Sequence, residues 1–212
     1  MTKRTGEVRL AVLVSGRGSN LGAILRAIDR GYITNAAVAV VISNRPDVRA
    51  LRVAESHGVR TEILVPRKEE TRETYDARLL TALNAAGVDA KDGVVLLAGF
   101  MRLLSPGFVA FYRNRILNIH PSLLPAFPGL EAQKQALDHG AKVSGCTVHF
   151  VVPEVDAGPI ILQRSVEVKE GDTVEALSAR ILRQEHLLYP RAVKLFVEGK
   201  LRITGKRVVI GD

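Results

Sequence analysis

Cysteine occurs once in the 212 residues, as Cys146. A lone thiol closes no intrachain disulfide and builds no thiolate metal cluster, which points to a reducing, cytoplasmic setting. Its neighbours Val148 and Phe150 mark it as a small core residue rather than a nucleophile. Tryptophan is absent and aromatic residues make up 5%, so platforms for stacking bases are scarce. The net charge is +8, yet the basic residues are scattered rather than gathered in a stripe. A small anionic molecule suits that pattern better than nucleic acid. No apolar run is long: the longest, residues 36–42, is far too short to span a bilayer, so no membrane partner is expected. Lys3 and Arg4 precede only a short apolar run at 10–14 that leads into glycines, without the cleavage pattern of a signal peptide. The five histidines, His57, His120, His139, His149 and His186, show no paired ligand spacing, so no metal is expected.

Apolar residues account for 47% of the chain, enough for a substantial core. Residues 8–14 and 37–42 read as near-continuous apolar strands, the mark of a buried parallel sheet. Between them Leu21, Ile24, Leu25 and Ile28 form a helical stripe ending at Gly31. Pro46 suits the first turn of a second helix through Ala50, Leu51, Val53 and Ala54. A strand at 61–65, a helix at about 69–86 and a strand at 92–98 continue the alternation. This order predicts an α/β fold: a Rossmann-like, doubly wound, mostly parallel sheet. Residues 145–152 and 159–168 lie close enough in sequence to pair antiparallel, giving the sheet an antiparallel C-terminal portion. A long helix starts at Thr173, with Pro190 expected to kink or split it. Residues 201–203 and 208–210 read as a terminal hairpin. With no repeat or linker, residues 1–212 are expected to form a single domain.

Three stretches carry chemistry. Ser15-Gly16-Arg17-Gly18-Ser19-Asn20 joins a strand to a helix, where free N–H groups and the helix dipole meet an anion. The spacing is neither the dinucleotide fingerprint nor a P-loop, and it favours a single phosphate. Ser19 and Asn20 are equally ordinary helix caps. Next, Phe100, Met101, Leu103 and Leu104 follow the strand at 92–98; either a flat apolar ligand or the next helix covers them. Finally, Asn118-Ile119-His120-Pro121-Ser122-Leu123-Leu124-Pro125 follows the apolar pair Ile116 and Leu117. Asn118 and His120 sit two apart, so on a strand they share a face. Pro121 then marks the strand end, where open α/β sheets bind ligands. Two polar edge residues before a proline-braced loop would look the same. Asp156, beside Gly158, can reach inward or serve as an ordinary turn aspartate.

Asn118, His120 and Asp156 together form a polar triad with no nucleophile beside it, since Ser122 lacks the nucleophile-elbow pattern. Acid–base chemistry with an oxyanion donor is what such a set can do.

Ser-Gly-x-Gly-Ser-Asn-Leu at 15–21, Ala-Gly-Phe-Met-Arg-Leu-Leu at 98–104, Asn-Ile-His-Pro-Ser-Leu-Leu-Pro at 118–125 and Asp-Ala-Gly-Pro-Ile at 156–160 occur in that order. Together they resemble the phosphoribosylglycinamide formyltransferases of the folate-dependent formyltransferase superfamily, over nearly the whole chain. The resemblance implies formyl transfer from 10-formyltetrahydrofolate, as cosubstrate, to the amine of phosphoribosylglycinamide in purine biosynthesis. It implies an N-terminal phosphate-binding half, about 7–110, and a C-terminal catalytic and folate half, about 111–212. Gly18, Ser19, Asn20 and Glu185 would bind phosphoribosylglycinamide. Arg72, Met101, Arg102, Leu103, Leu104, Asn118, Val152 and Asp156 would contact the folate, and Asn118, His120 and Asp156 would be catalytic. The partners implied are small molecules, and the chain would be a monomer or homodimer. Relatives often carry histidines after the Pro-Gly turn, where this chain has Glu131 and Gln133. Three alternatives share parts of the pattern. Formyltetrahydrofolate hydrolase usually carries an extra N-terminal domain, and only seven residues precede the first strand here. Methionyl-tRNA formyltransferase adds a C-terminal RNA-binding domain. A non-catalytic phosphate-ligand binder would have no use for the triad.

Overall fold

A computed structural model describes residues 7–211 of the chain; Lys3 and Arg4 lie outside them. In chain order the elements are β1 (Val8–Val14), α1 (Ser19–Asp29), β2 (Ala36–Ser43), α2 (Arg49–Ser56), β3 (Thr61–Ile63), α3 (Arg72–Ala85), β4 (Val94–Leu97) and α4 (Pro106–Phe111). They continue with β5 (Ile116–His120), α5 (Ala132–Asp138), β6 (Val143–Phe150), β7 (Ile160–Glu167), α6 (Val174–Val197), β8 (Leu201–Thr204) and β9 (Arg207–Ile210). One sheet runs β3-β2-β1-β4-β5-β6-β7-β9-β8. From β3 to β5 every neighbouring pair is parallel. β6 pairs antiparallel with both β5 and β7, and the terminal hairpin attaches by a parallel β7–β9 contact. This is the expected mostly parallel sheet with an antiparallel C-terminal portion. The strand order reverses between β1 and β4, so their carboxyl ends open a crevice of the kind that binds ligands in open α/β sheets.

β1 shows why the sheet is buried on both sides. Leu10, Val12 and Val14 face one apolar cluster, which takes in α1 and α6. Ala11 and Leu13 face the other, against α3 and α4. A period of two with apolar residues in both phases is what a strand between two helical layers requires.

Several boundaries differ from the sequence reading. α2 starts at Arg49 rather than around Pro46, because Asp47 is left-handed at φ +54° and interrupts the chain between them. α3 starts at Arg72 rather than near 69: Glu69 is also left-handed, and the Thr71 hydroxyl accepts the Thr74 N–H as the cap. β4 is shorter than 92–98, since the Asp89 carboxylate accepts the Lys91 and Asp92 amides and holds that stretch in a turn. Pro190 does not split α6, which runs unbroken for 24 residues. Tyr189, Pro190, Ala192 and Val193 are all buried, so packing outweighs the missing N–H.

Tyr189 ties α6 to the sheet at the crevice. Its hydroxyl shares a hydrogen with the carbonyls of Leu97 at 3.1 Å and Leu117 at 3.0 Å. Burial holds the phenol well above its ordinary pKa, so the hydroxyl stays a donor. Tyr189→Phe should lower the unfolding free energy by about 1–2 kcal/mol, read from urea denaturation curves of unchanged slope.

Candidate active site

β5 carries Asn118 and His120 on one face, two residues apart. Antiparallel pairing sets His149 of β6 opposite Asn118 and Thr147 opposite His120, so four polar side chains share that face. His120 is 5% exposed. Its Nε2 lies 2.9 Å from the Phe127 carbonyl, which only accepts, so Nε2 carries a hydrogen. Nδ1 lies 3.3 Å from Asp156 Oδ2.

Asp156 reaches the ring from the loop joining β6 to β7. It sits in the left-handed region at φ +52°, which a short polar side chain tolerates better than most. The Gly129 N–H donates to Oδ2 at 2.8 Å. Gly158 lets the loop lie flat against β6: a Cβ there would stand 1.7 Å from the Phe150 carbonyl oxygen. Burial pushes the Asp156 carboxyl up, but the His149 ring, the Gly129 amide and the charge of His120 outweigh it. The net effect holds the carboxyl below its usual value, so it is ionised at neutral pH.

His149 was not singled out in the sequence, yet it links the set. Its Nδ1 lies 2.9 Å from the Phe150 carbonyl, so in the neutral ring Nδ1 donates and Nε2 accepts. Asn118 Nδ2 stands 3.2 Å from that Nε2. One amide hydrogen is thereby held by His149 and the second is left for a ligand. Asp156 Oδ1 is 3.6 Å from the same Nε2, beyond a good hydrogen bond, but near enough that a protonated His149 ring favours the ionised carboxylate. The sequence did hold a signal: Thr147 and His149 occupy the polar phase of a strand whose other phase is Cys146, Val148 and Phe150. Thr147 anchors the loop after His120, accepting the Leu124 N–H at 3.1 Å and donating to the Ser122 carbonyl at 2.7 Å.

The glycine-rich turn leaves the carboxyl end of β1. Gly18 is the residue before α1, at φ +73°, and a Cβ on it would stand 2.6 Å from Ala50 Cα. No side chain caps the helix, so neither Ser19 nor Asn20 serves as the cap, and the first-turn N–H groups keep their anion-binding capacity. A cleft of about 330 Å³ opens beside Gly18 and Ser19, with Arg17, Arg26 and Arg49 on its walls. Asn20 turns inward and donates to Glu185 Oε2 at 2.7 Å. Glu185 is buried, which raises its carboxyl; Asn20 and Arg17 offset part of the rise.

The apolar segment after β4 divides. Phe100 and Leu104 join the core beside α3 and α4, whereas Met101 and Leu103 are 57% and 54% exposed. The core covers half of the segment, and half is left exposed. Arg102 folds back, its Cζ 4.2 Å from the Tyr75 ring centroid. The Met101 N–H donates to Ser15 Oγ at 2.7 Å, and that hydroxyl donates to Asn44 Oδ1 at 2.6 Å, joining the turns after β1, β2 and β4. Arg72 is exposed at the start of α3 and Val152 is half-buried after β6. The structure thus brings Asn118, His120 and Asp156 together, and Asn20 with Glu185. The turn after β1, the segment after β4 and the end of β5 that carries His120 all stand at carboxyl ends of neighbouring strands.

A family model described as "Formyl transferase" matches residues 8–193. The chain is 43% identical to phosphoribosylglycinamide formyltransferase of Escherichia coli K12, over 92% of this chain and 90% of that protein. Glycinamide ribonucleotide transformylase 1 from Symbiobacterium toebii superposes with a TM-score of 0.93 at 54% identity, covering 99% of this chain and 96% of that one. A formyltetrahydrofolate deformylase from Pseudomonas syringae superposes at 0.88 with 27% identity, over 98% of this chain and 67% of its own. With this match, and with a strand-end asparagine and histidine backed by a loop aspartate, the chain belongs to the formyl transferase family, in its phosphoribosylglycinamide formyltransferase branch.

Proposed function

We propose that the protein transfers the formyl group of 10-formyltetrahydrofolate to the amine of phosphoribosylglycinamide, in a cytoplasmic route to purines. The observation that carries this reading is the His120–Asp156 contact of 3.3 Å on the face that also holds Asn118. In a division of labour within one domain, residues of about 7–110 moor the phosphate and those of about 111–212 carry out the transfer. Both ligands are small molecules.

The amine lone pair attacks the formyl carbon, and the carbonyl electrons move onto oxygen. The Asn118 amide hydrogen not held by His149 donates to that oxygen. His120 Nε2–H, directed at Phe127 in the free protein, turns to the oxyanion or to the departing folate nitrogen. Asp156 holds Nδ1 and compensates the charge on the ring. His149 acts through Asn118 as a positioning residue, fixing which end of the amide faces the ligand. As the intermediate collapses, the carbon–nitrogen bond to folate breaks, the amine gives up a proton and the folate nitrogen gains one. The nucleophile belongs to the substrate, so no acyl-enzyme forms. Gly18, Ser19 and Asn20 hold the phosphate, with Glu185 at the ribose. Met101 and Leu103 offer the apolar wall a flat pterin requires; Arg72, Arg102 and Val152 complete that region, and Leu104 anchors the segment from the core.

Release of tetrahydrofolate from 10-formyltetrahydrofolate, measured with and without phosphoribosylglycinamide, tests the reaction. Amine-dependent release is expected; equal release without the amine would mean a hydrolase and overturn the proposal. Asn118→Ala should lower kcat by about 10²–10³-fold, the usual cost of an oxyanion donor. His120→Ala and Asp156→Asn should fold normally and lose most of kcat. Ser19→Ala should chiefly raise KM for the phosphorylated substrate, because it removes binding remote from the reacting atoms.

A further inference from the structure

The first turns of α3 hold buried polar groups that none of these roles uses. Tyr75 and Asp76 are 0% and 2% exposed, and both engage the segment after β4. Asp76 Oδ2 accepts the Ser105 backbone N–H at 2.6 Å. Ser105 is where that segment ends: its hydroxyl caps α4 by accepting the Phe108 N–H, and Pro106 follows at the first helical position. The Arg102 guanidinium lies over the Tyr75 ring. With the Met101 bond to Ser15, the segment is pinned at its start, middle and end. Between the pins, Leu104 turns into the core and Leu103 turns out.

This clamp is costly as core packing. Asp76 Oδ1, Tyr75 Oη and Arg102 Nε are all buried with no hydrogen-bond partner among the described residues, and such atoms destabilise a fold. Burial raises the Asp76 carboxyl, and the Ser105 amide and hydroxyl offset this in part. An apolar side chain at 76 would fill the space without these losses, so the carboxylate is better explained by the amide it holds than by core stability.

We propose that Asp76, supported by Tyr75, is a positioning residue for the formyl donor: through Ser105 and Arg102 it fixes the segment 98–105 in the shape that presents Met101 and Leu103. The inference rests on the reading of that segment as the folate wall. Asp76 touches no ligand; it removes, in the free protein, disorder that binding would otherwise have to remove.

Steady-state kinetics on both substrates and hydrogen exchange at the Ser105 amide test it, using Asp76→Ala, Asp76→Asn and Leu103→Ser. Asp76→Ala should speed Ser105 exchange and raise KM for 10-formyltetrahydrofolate about tenfold, the worth of one good hydrogen bond. Its kcat and its KM for phosphoribosylglycinamide should stay within about twofold of wild type. Asp76→Asn keeps an oxygen acceptor for the Ser105 amide and should restore most of the affinity. Should Asp76→Ala fold poorly, Tyr75→Leu, which removes the platform under Arg102, should give the same selective rise in KM. Leu103→Ser tests the underlying reading separately: if it leaves KM for the folate unchanged, the segment is not the folate wall and the inference falls with it. If Leu103→Ser raises that KM while Asp76→Ala speeds exchange without raising it, the wall stands and the positioning role is overturned. A fall in kcat with both KM values raised in Asp76→Ala would mean general damage and would equally overturn it.

Discussion

The antiparallel pairing of β5 with β6 is the constraint on which the site depends. Because directly opposed residues in such a ladder share a face, the register Asn118↔His149 and His120↔Thr147 assembles four polar side chains on one side of the sheet. A slip of one residue would turn one strand's polar pair away from the other's. The register also places Phe150 at the end of β6, from which the chain turns back and brings Asp156 to the imidazole. The return is tight enough that only glycine fits at 158.

Around this ladder, the sheet supplies rigidity and the loops supply chemistry. β1, β4 and β5 are adjacent, so the turns at their carboxyl ends are neighbours whatever their sequences. Ser15, Asn44 and the Met101 amide then lock three of those turns together with two hydrogen bonds. α6 closes the opposite side. Glu185 holds Asn20 at the start of α1, and one turn later Tyr189 holds Leu97 of β4 and Leu117 of β5. A single helix therefore registers the glycine-rich turn against the strand that bears Asn118 and His120.

The buried charges divide by their surroundings. Asp156 and Glu185 both lose water, yet Asp156 gathers an amide and two rings and is held low, whereas Glu185 has chiefly one neutral amide and is held high. Asp156 is thus committed to the ionised form that steadies an imidazole, while Glu185 suits hydrogen bonding to a neutral hydroxyl. Burial acts in the same direction on both; the partners decide the outcome.

Periodicity and punctuation were enough to show the layered α/β plan, since strands buried on both faces must be apolar in both phases and glycines and prolines mark their ends. The spacing of Asn118 and His120 was likewise legible, because side-chain alternation along a strand is local. The helix starts expected around Pro46 and Glu69 were misread, since left-handed residues other than glycine, here Asp47 and Glu69, leave little trace in composition. That Pro190 would not split its helix was not legible, because its cost is local and the packing that offsets it is not. His149 was overlooked for a related reason: its place in the polar phase of a strand was visible, but it matters through a partner 31 residues away, and strand order and register arise from the packing of the whole sheet. The chain by itself determined which chemistry its residues could perform; only the tertiary structure decided which of them meet, because hydrogen bonds between distant segments depend on the folded path that brings them within about 3 Å.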